Sequence, residues 1–254
     1  MSEAPAWLVA RPIAHRGLHG GAVVENSLGA ARAAIRHGFA IECDVRLTAD
    51  NDAVVFHDGD LARLTGLPDL VVAHTSAALQ AVRYRVGGEG ICTLQTLLRE
   101  IDGRVPLICE IKSEFDGDLR LTERVRDLVA AYRGPIALKS FDPAPIAALR
   151  AQAPCPLGIV AEAAYDDPEW DGLSPVTKRD LAEMLHFGRT QPDFLSYAAA
   201  DLPRAAPFLC RTALGLPVMA WTVRSPDAWE RAAPWSDQMV FERFLPMEPE
   251  RPAV

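Results

Sequence analysis

Lysine, cysteine and long apolar runs are all scarce in this chain. Of its 26 basic residues only Lys112, Lys139 and Lys178 are lysine, so the position of each one matters. The five cysteines, Cys43, Cys92, Cys109, Cys155 and Cys210, are odd in number and form no C-x-x-C pair. That excludes a disulfide framework or a paired-cysteine zinc site, and reads as reduced, mostly buried thiols. No apolar run reaches the roughly 18 residues a membrane-spanning helix requires. The N-terminal stretch MSEAPAWLVARPIAHR starts acidic and its apolar part is too short and interrupted for a signal peptide, so a cytoplasmic protein is expected. Positive charge is in deficit: the net charge is −8. Binding to nucleic acid or to an anionic membrane surface needs a basic face, so neither partner is expected. A Gly-rich dinucleotide loop is missing too, because the loop after the first candidate strand reads HRGLHGG rather than G-x-G-x-x-G.

What is present is ordinary globular material, 49% hydrophobic and 24% charged. At about 150 residues per domain, 254 residues suit two small domains or one large barrel. Short apolar segments at 12–15, 40–44, 53–57, 106–112, 135–140, 157–161, 193–197 and 217–222 read as strands. Most are continuously apolar, as expected of parallel strands covered on both faces. Helix-like stretches lie between most of them, at 27–38, 118–133, 179–187, 202–213 and 227–233; the first has Ser27 as its cap and Gly38 as its stop. Eight strands alternating with helices predict a (β/α)8 TIM barrel, α/β in class, as one domain over 1–254. A doubly wound open sheet is the alternative. Two irregularities stand out. The link 45–52 is too short for a crossover helix, which leaves a hairpin or an extended return between β2 and β3. The stretch 59–90, after the third strand, is long enough to be a lid or a small insertion. Its apolar residues Leu61, Leu64, Leu67, Leu70, Val71 and Val72 are expected to pack it onto the barrel. A ninth apolar segment, 238–241, is one more than a barrel needs.

The chemistry gathers at strand ends. The first strand ends in His15-Arg16-Gly17, the second in Glu42-Cys43-Asp44, the third in His57-Asp58 and the fourth in Glu110-Ile111-Lys112. In a barrel these ends meet at one mouth. Side chains alternate along a strand, so Glu42 and Asp44 share a face, as do Glu110 and Lys112. Carboxylates inside apolar strands need a counter-charge. Glu42, Asp44 and Glu110 make an all-oxygen set suited to a hard divalent ion such as Mg²⁺ or Ca²⁺. Arg16 and Lys112 are anion binders, Arg16 as a bidentate fork and Lys112 as a point charge. His15 and His57 can serve as base and acid across a substrate. Together these groups suit phosphoryl chemistry. Taken singly, each has a plainer reading as an ion pair or a structural histidine; their coincidence at the ends of four apolar strands does not. Around them, Glu25 and Asn26 lie on the loop after the first strand, within reach of metal or ligand. Lys139 ends the fifth strand as a candidate phosphate or substrate contact, and Trp221, near the end of the eighth, is a candidate pocket wall or a core residue.

The strings AHRG, ENS, ECDVRLTAD, VVFHD, EIKS, SFD and WTV, in that order from Ile13 to about Phe244, resemble the glycerophosphodiester phosphodiesterase family. The resemblance implies a TIM barrel with a small insertion after the third strand, over about 59–90. It implies hydrolysis of a small water-soluble glycerophosphodiester to sn-glycerol 3-phosphate and an alcohol, with a divalent metal. Under it His15 and His57 match the catalytic acid/base pair, and Glu42, Asp44 and Glu110 the metal ligands. Arg16 and Lys112 match phosphate contacts, and Trp221 a pocket wall. Two segments depart from the family pattern. Met239 to Phe244 reads MVFERF where members have a segment like IITDRP, and the seventh strand, DFLSY, lacks an expected asparagine. Neither is expected to touch the catalytic set. The alternatives on the same barrel are a lyase or phospholipase D-like relative that leaves a cyclic phosphate, and a non-catalytic barrel that binds phosphorylated ligands.

Overall fold

A computed structural model describes residues 4–152 and 155–246. Nine strands form one sheet: β1 (Ile13–Ala14), β2 (Ala40–Leu47), β3 (Ala53–Val55), β4 (Leu107–Ile111), β5 (Ile136–Ser140), β6 (Leu157–Ala161), β7 (Phe194–Ala198), β8 (Val218–Val223) and β9 (Gln238–Phe241). Eight of them run parallel in the order β1-β9-β8-β7-β6-β5-β4-β2, and pairing of β1 with β2 closes the ring. The chain is a (β/α)8 barrel. The helices are α1 (Leu28–His37), α2 (Ala62–Thr65), α3 (Ser76–Ala81), α4 (Leu94–Ile101), α5 (Arg120–Ala130), α6 (Pro143–Leu149), α7 (Pro175–Ala182), α8 (Phe187–Thr190), α9 (Ala205–Leu214) and α10 (Pro226–Ala232). None of the described helices is long and apolar enough to cross a membrane.

The count of eight strands holds, but with a different membership. β3 is antiparallel to β2, with Val45 opposite Val55 and Leu47 opposite Ala53. It is the return arm of a hairpin outside the parallel ring, closed by the Thr48 hydroxyl accepting from the Asp52 N–H at 2.9 Å. A connection that short leaves no room for a crossover, so the strand has to run back. The apparent surplus segment, β9, takes the eighth place and closes the barrel against β1, with Ile13 beside Val240.

Local sequence explains the helices. Ser27 accepts from the Ala30 N–H, and Gly38 stops α1 at φ 70°. The buried face of α1 is Ala30, Ala31, Ala33 and Ala34, small enough to bring its backbone close to the barrel. α4 was not among the expected helices, yet Thr93 caps it and Leu94, Leu97, Leu98 and Ile101 bury one stripe. The expected helix over 179–187 is two pieces, because Ser174 and Pro175 start α7 earlier and it ends at Ala182.

Outward-facing strand residues such as Ile41, Cys43, Cys109 and Leu138 pack under the helices. Inward residues Ile13, Ala40, Ile108, Ala137, Phe194, Met219 and Val240 fill the barrel floor, plugged from below by Leu8. Gly158 makes room there: a Cβ on it would meet the Phe194 ring at 2.3 Å. The insertion has its own small core of Phe56, Leu61, Val71, Leu79, Tyr84 and Ile91. Of the six residues expected to dock it, Leu61 and Val71 are buried and Leu64 packs partly, but Leu67, Leu70 and Val72 face solvent. Leu61 caps α2, which buries none of its own residues, and the turn at 71–73 buries only Val71, so Leu67, Leu70 and Val72 are left outside.

Candidate active site

The site is the barrel floor continued by one step. Inward positions recur every second residue along a strand. Two residues beyond Ile13 is His15; beyond Ala40 come Glu42 and Asp44; beyond Ile108, Glu110 and Lys112; beyond Ala137, Lys139. The same step past Val160, Met219 and Val240 gives Glu162, Trp221 and Glu242. The lower layer is apolar and the upper one titratable, so the core and the site lie on the same inward face.

Glu42, Asp44 and Glu110 are each at least 96% buried, and each presents an oxygen within 4.8 Å of the others. Lys139 Nζ bridges Glu42 at 3.0 Å and Glu110 at 3.1 Å. Lys112 Nζ bridges Asp44, at 2.9 Å, and Glu110. Arg16 gives its backbone N–H to Glu42 at 3.0 Å and sets its guanidinium 3.3 Å from Asp44. Burial pushes the Glu110 carboxyl up, but Lys112 and Lys139 prevail and hold it at about 2. Burial works the same way on Asp44, and Lys112, with His57 and Arg16, holds it well below the carboxylate range. Glu110 and Asp44 are ionised acceptors. An ion with ligands at roughly 2.3–2.6 Å fits among oxygens spaced no more than twice that distance. The donor set is all oxygen, since Cys43 and Cys109 pair with each other in the outer layer. The residues therefore fit a hard divalent cation.

Two histidines face this pit, each held from behind. His15 Nδ1 lies 2.7 Å from Glu242, and His57 Nδ1 lies 2.8 Å from Asp58. Burial raises both carboxyls, but bonding to His15, His19 and Arg224 holds Glu242 far below the carboxylate range, and bonding to His57 and Arg63 does the same for Asp58. An ionised carboxylate only accepts, so each Nδ1 carries the proton and each Nε2 is left for the cleft that both rings line. Glu242 was not foreseen. The atypical segment 239–244 was expected to stay clear of the catalytic set, yet it supplies the partner of His15. β9 is a barrel strand, and its next inward position falls beside the end of β1.

The cleft encloses about 410 Å³. His15, Arg16, Asp44, His57, Glu110, Lys112, Lys139 and Trp221 all line it. Lys139, expected as a phosphate contact, is 97% buried and engaged by two carboxylates. Glu25 and Asn26, expected to touch metal or ligand, are not among the lining residues. Glu25 sits behind Arg16, at 2.6 Å, and also binds Arg63 at 2.7 Å. Asn26, at φ 56°, donates its side-chain amide to Asp44 at 2.9 Å and accepts the Asp44 N–H at 3.2 Å. Both orient charged groups from the rear, because the loop after β1 turns outward at Arg16 (φ 55°) toward the cap of α1. Trp221 donates its indole N–H to the Ser196 carbonyl at 2.8 Å and stands edge-on to Phe141.

Three comparisons relate the chain to known proteins. The model of the glycerophosphoryl diester phosphodiesterase family matches residues 15–241. A Bacillus subtilis (strain 168) protein, YhdW, that carries the name of a glycerophosphodiester phosphodiesterase is 32% identical over 127 residues, 47% of this chain and 51% of that protein. A Mycobacterium tuberculosis protein named as glycerophosphodiester phosphodiesterase 2 is 34% identical over 114 residues, 44% of this chain and 43% of its own length. The matched stretch thus spans about half the length of these relatives. Among solved structures, an Oleispira antarctica phosphodiesterase in complex with sn-glycerol-3-phosphate superposes with TM-score 0.76 at 21% identity, covering 92% of this chain and 93% of that one. A Silicibacter pomeroyi structure titled for the same family gives 0.73 at 24% identity, covering 94% and 91%. At such identities the likeness is one of fold. The family match runs from the first cleft histidine to the last residue of the closing strand, and the chain belongs to the glycerophosphoryl diester phosphodiesterase family.

Proposed function

We propose that this protein, acting as one catalytic domain, hydrolyses a small water-soluble glycerophosphodiester to sn-glycerol 3-phosphate and an alcohol with the help of a divalent cation. The observation that carries this is the pair of imidazoles, each fixed at Nδ1 by an ionised carboxylate, at the edge of a pit with three buried carboxylates. Glu42, Asp44 and Glu110 would hold the ion. When bound it supplies Lewis-acid stabilisation of charge on the phosphate. Arg16 and Lys112 line the same cleft and add fixed positive charge for the phosphate oxygens. One histidine, unprotonated at Nε2, takes the proton of the substrate's glycerol 2-hydroxyl as that oxygen bonds to phosphorus. The other, protonated there, gives a proton to the alcohol oxygen as its bond to phosphorus breaks; water then opens the cyclic phosphate with the two roles reversed and leaves sn-glycerol 3-phosphate. Glu242 and Asp58 keep both rings in the required tautomer and orientation.

Intact membrane lipid is not the substrate in this reading. The net charge of −8 opposes approach to an anionic bilayer. The test is a panel of glycerophospho-alcohols and of phospholipid vesicles with the same head groups, read out by the freed alcohol and, for the soluble diesters, by sn-glycerol 3-phosphate as well. Release of alcohol from the soluble diesters and none from vesicles is expected. A cyclic phosphate as the final product would mean a lyase, and equal rates on vesicles would refute the soluble-substrate reading.

A further inference from the structure

Across the mouth from the histidines the cleft changes character. β6 stands four strands from β1 by either route around the ring. At its end Glu162 is 91% buried, lines the cleft, and has an oxygen, Oε1, without any hydrogen-bond partner. Trp170, 93% buried and in the same wall, turns its indole N–H toward that carboxyl. Phe141 joins Trp170 and Trp221, its ring centroid 4.9 Å from one and 5.4 Å from the other. Asp167 and Glu169 line the same side. None of these residues serves the acid/base pair or the carboxylate pit.

A buried carboxylate with no counter-charge is costly, and folded proteins seldom leave one so. Burial raises the Glu162 carboxyl to about 7; Trp170 opposes the rise, and Glu169, Asp167 and Asp201 add to it. The group waits without a counter-charge, inside a wall of aromatic faces. Carboxylate plus aromatic faces is the chemistry that holds ammonium and quaternary ammonium groups. A neutral polyol would need donors and acceptors around it, and an anionic head group would meet three carboxylates.

We propose that this wall is a subsite for a cationic alcohol head group, with Glu162 as the residue that selects it, so that the substrates are glycerophosphodiesters of amino or quaternary ammonium alcohols. This rests on the phosphodiesterase reading above and deepens it. A diester with a negative phosphate and a positive head group then matches a cleft that is basic at the β1–β4–β5 side and acidic and aromatic at the β6 side.

The test compares sn-glycero-3-phosphocholine with its neutral carbon isostere, the 3,3-dimethylbutyl diester, and uses sn-glycero-3-phosphoglycerol as the control diester. The choline diester is expected to lead its isostere by about tenfold in kcat/KM, chiefly through KM. Glu162→Gln should bring that ratio close to one, and Trp170→Leu should lower it. Equal kcat/KM for the two isosteres in the wild type, or a ratio unmoved by Glu162→Gln, overturns the subsite. Titration with choline alone separates this from failure of the underlying reading. Saturable binding that Glu162→Gln abolishes supports the subsite even if no diester is hydrolysed. Absence of saturable binding while glycerophosphoglycerol is cleaved rejects the subsite and leaves the phosphodiesterase standing.

Discussion

The two sides of the cleft treat charge in opposite ways. On the β1–β2–β4–β5 side, Glu42, Asp44 and Glu110 are each answered by Lys112, Lys139, Arg16 or Asn26. On the β6 side Glu162 has the Trp170 indole beside it but no cation. The paired side is rigid before anything binds, which is what charge stabilisation in a transition state requires. The unpaired side keeps its charge suppressed until a partner arrives. Pairing therefore separates the part of the cleft built for the reaction from the part built for recognition.

The largest expected effect breaks the paired side. Chelation should abolish hydrolysis, and Mg²⁺ or Ca²⁺ should restore it; full activity in metal-stripped protein would disprove the role of Glu42, Asp44 and Glu110. Glu42→Gln should lose metal affinity by titration while thermal unfolding shifts little, because Lys139 keeps Glu110 as partner. Next, His15→Ala and His57→Ala should each lower kcat by about 10²–10⁴-fold. The double variant should be little worse than the worse single, since the two act as a unit; losses that multiply would show that only one of them transfers a proton.

Glu242→Gln should cost less, about 10²-fold at most, because it loosens His15 without removing it. The signature to look for is a change in the pH profile of kcat on the limb that His15 controls, and an unchanged profile would reduce Glu242 to a structural role. The smallest effect concerns the unpaired side. With the folded Glu162 carboxyl at about 7 against an ordinary 4.5, the unfolded chain ionises first as pH rises. Glu162 thus costs nothing below about 4.5, takes stability away progressively between there and about 7, and leaves a constant penalty above. Thermal melts should show Glu162→Gln equal to wild type at pH 4 and more stable at pH 8. A variant less stable at pH 8 would mean that Glu162 is paired after all.

Much of the paired side is legible in the sequence because adjacent signals reinforce each other. Glu42 and Asp44 in E-x-D, Glu110 and Lys112 in E-x-K, and His15-Arg16 all sit at ends of recognisable strands, and alternation places them on one face. Glu162 and Glu242 obey the same alternation but stand alone, one after LGIVA and one after MVF, with no second charged residue to mark the face. Glu242 was further hidden by the misplaced strands. As long as 53–57 filled a barrel position, 238–241 had none to fill, and the residue after it had no strand end to belong to. The roles of Glu25 and Asn26 were out of reach for another reason. Their position on the loop after β1 is evident, but whether they face the cleft or its rear depends on the left-handed turn at Arg16, a backbone choice that an arginine does not announce.

The contact between His15 and Glu242 spans 227 positions of chain. During synthesis at the ribosome, His15 emerges 227 positions ahead of its partner. Until then β1 pairs only with β2, and β8, at the other end of the unclosed sheet, still lacks β9. An incomplete chain therefore exposes two strand edges at once, a state open to pairing with other chains. Such a chain would also hold the His15 imidazole without the carboxylate that sets its tautomer. Release of the last strand closes the barrel and gives His15 its partner in one event, so under the proposed mechanism the site is complete only when the barrel is.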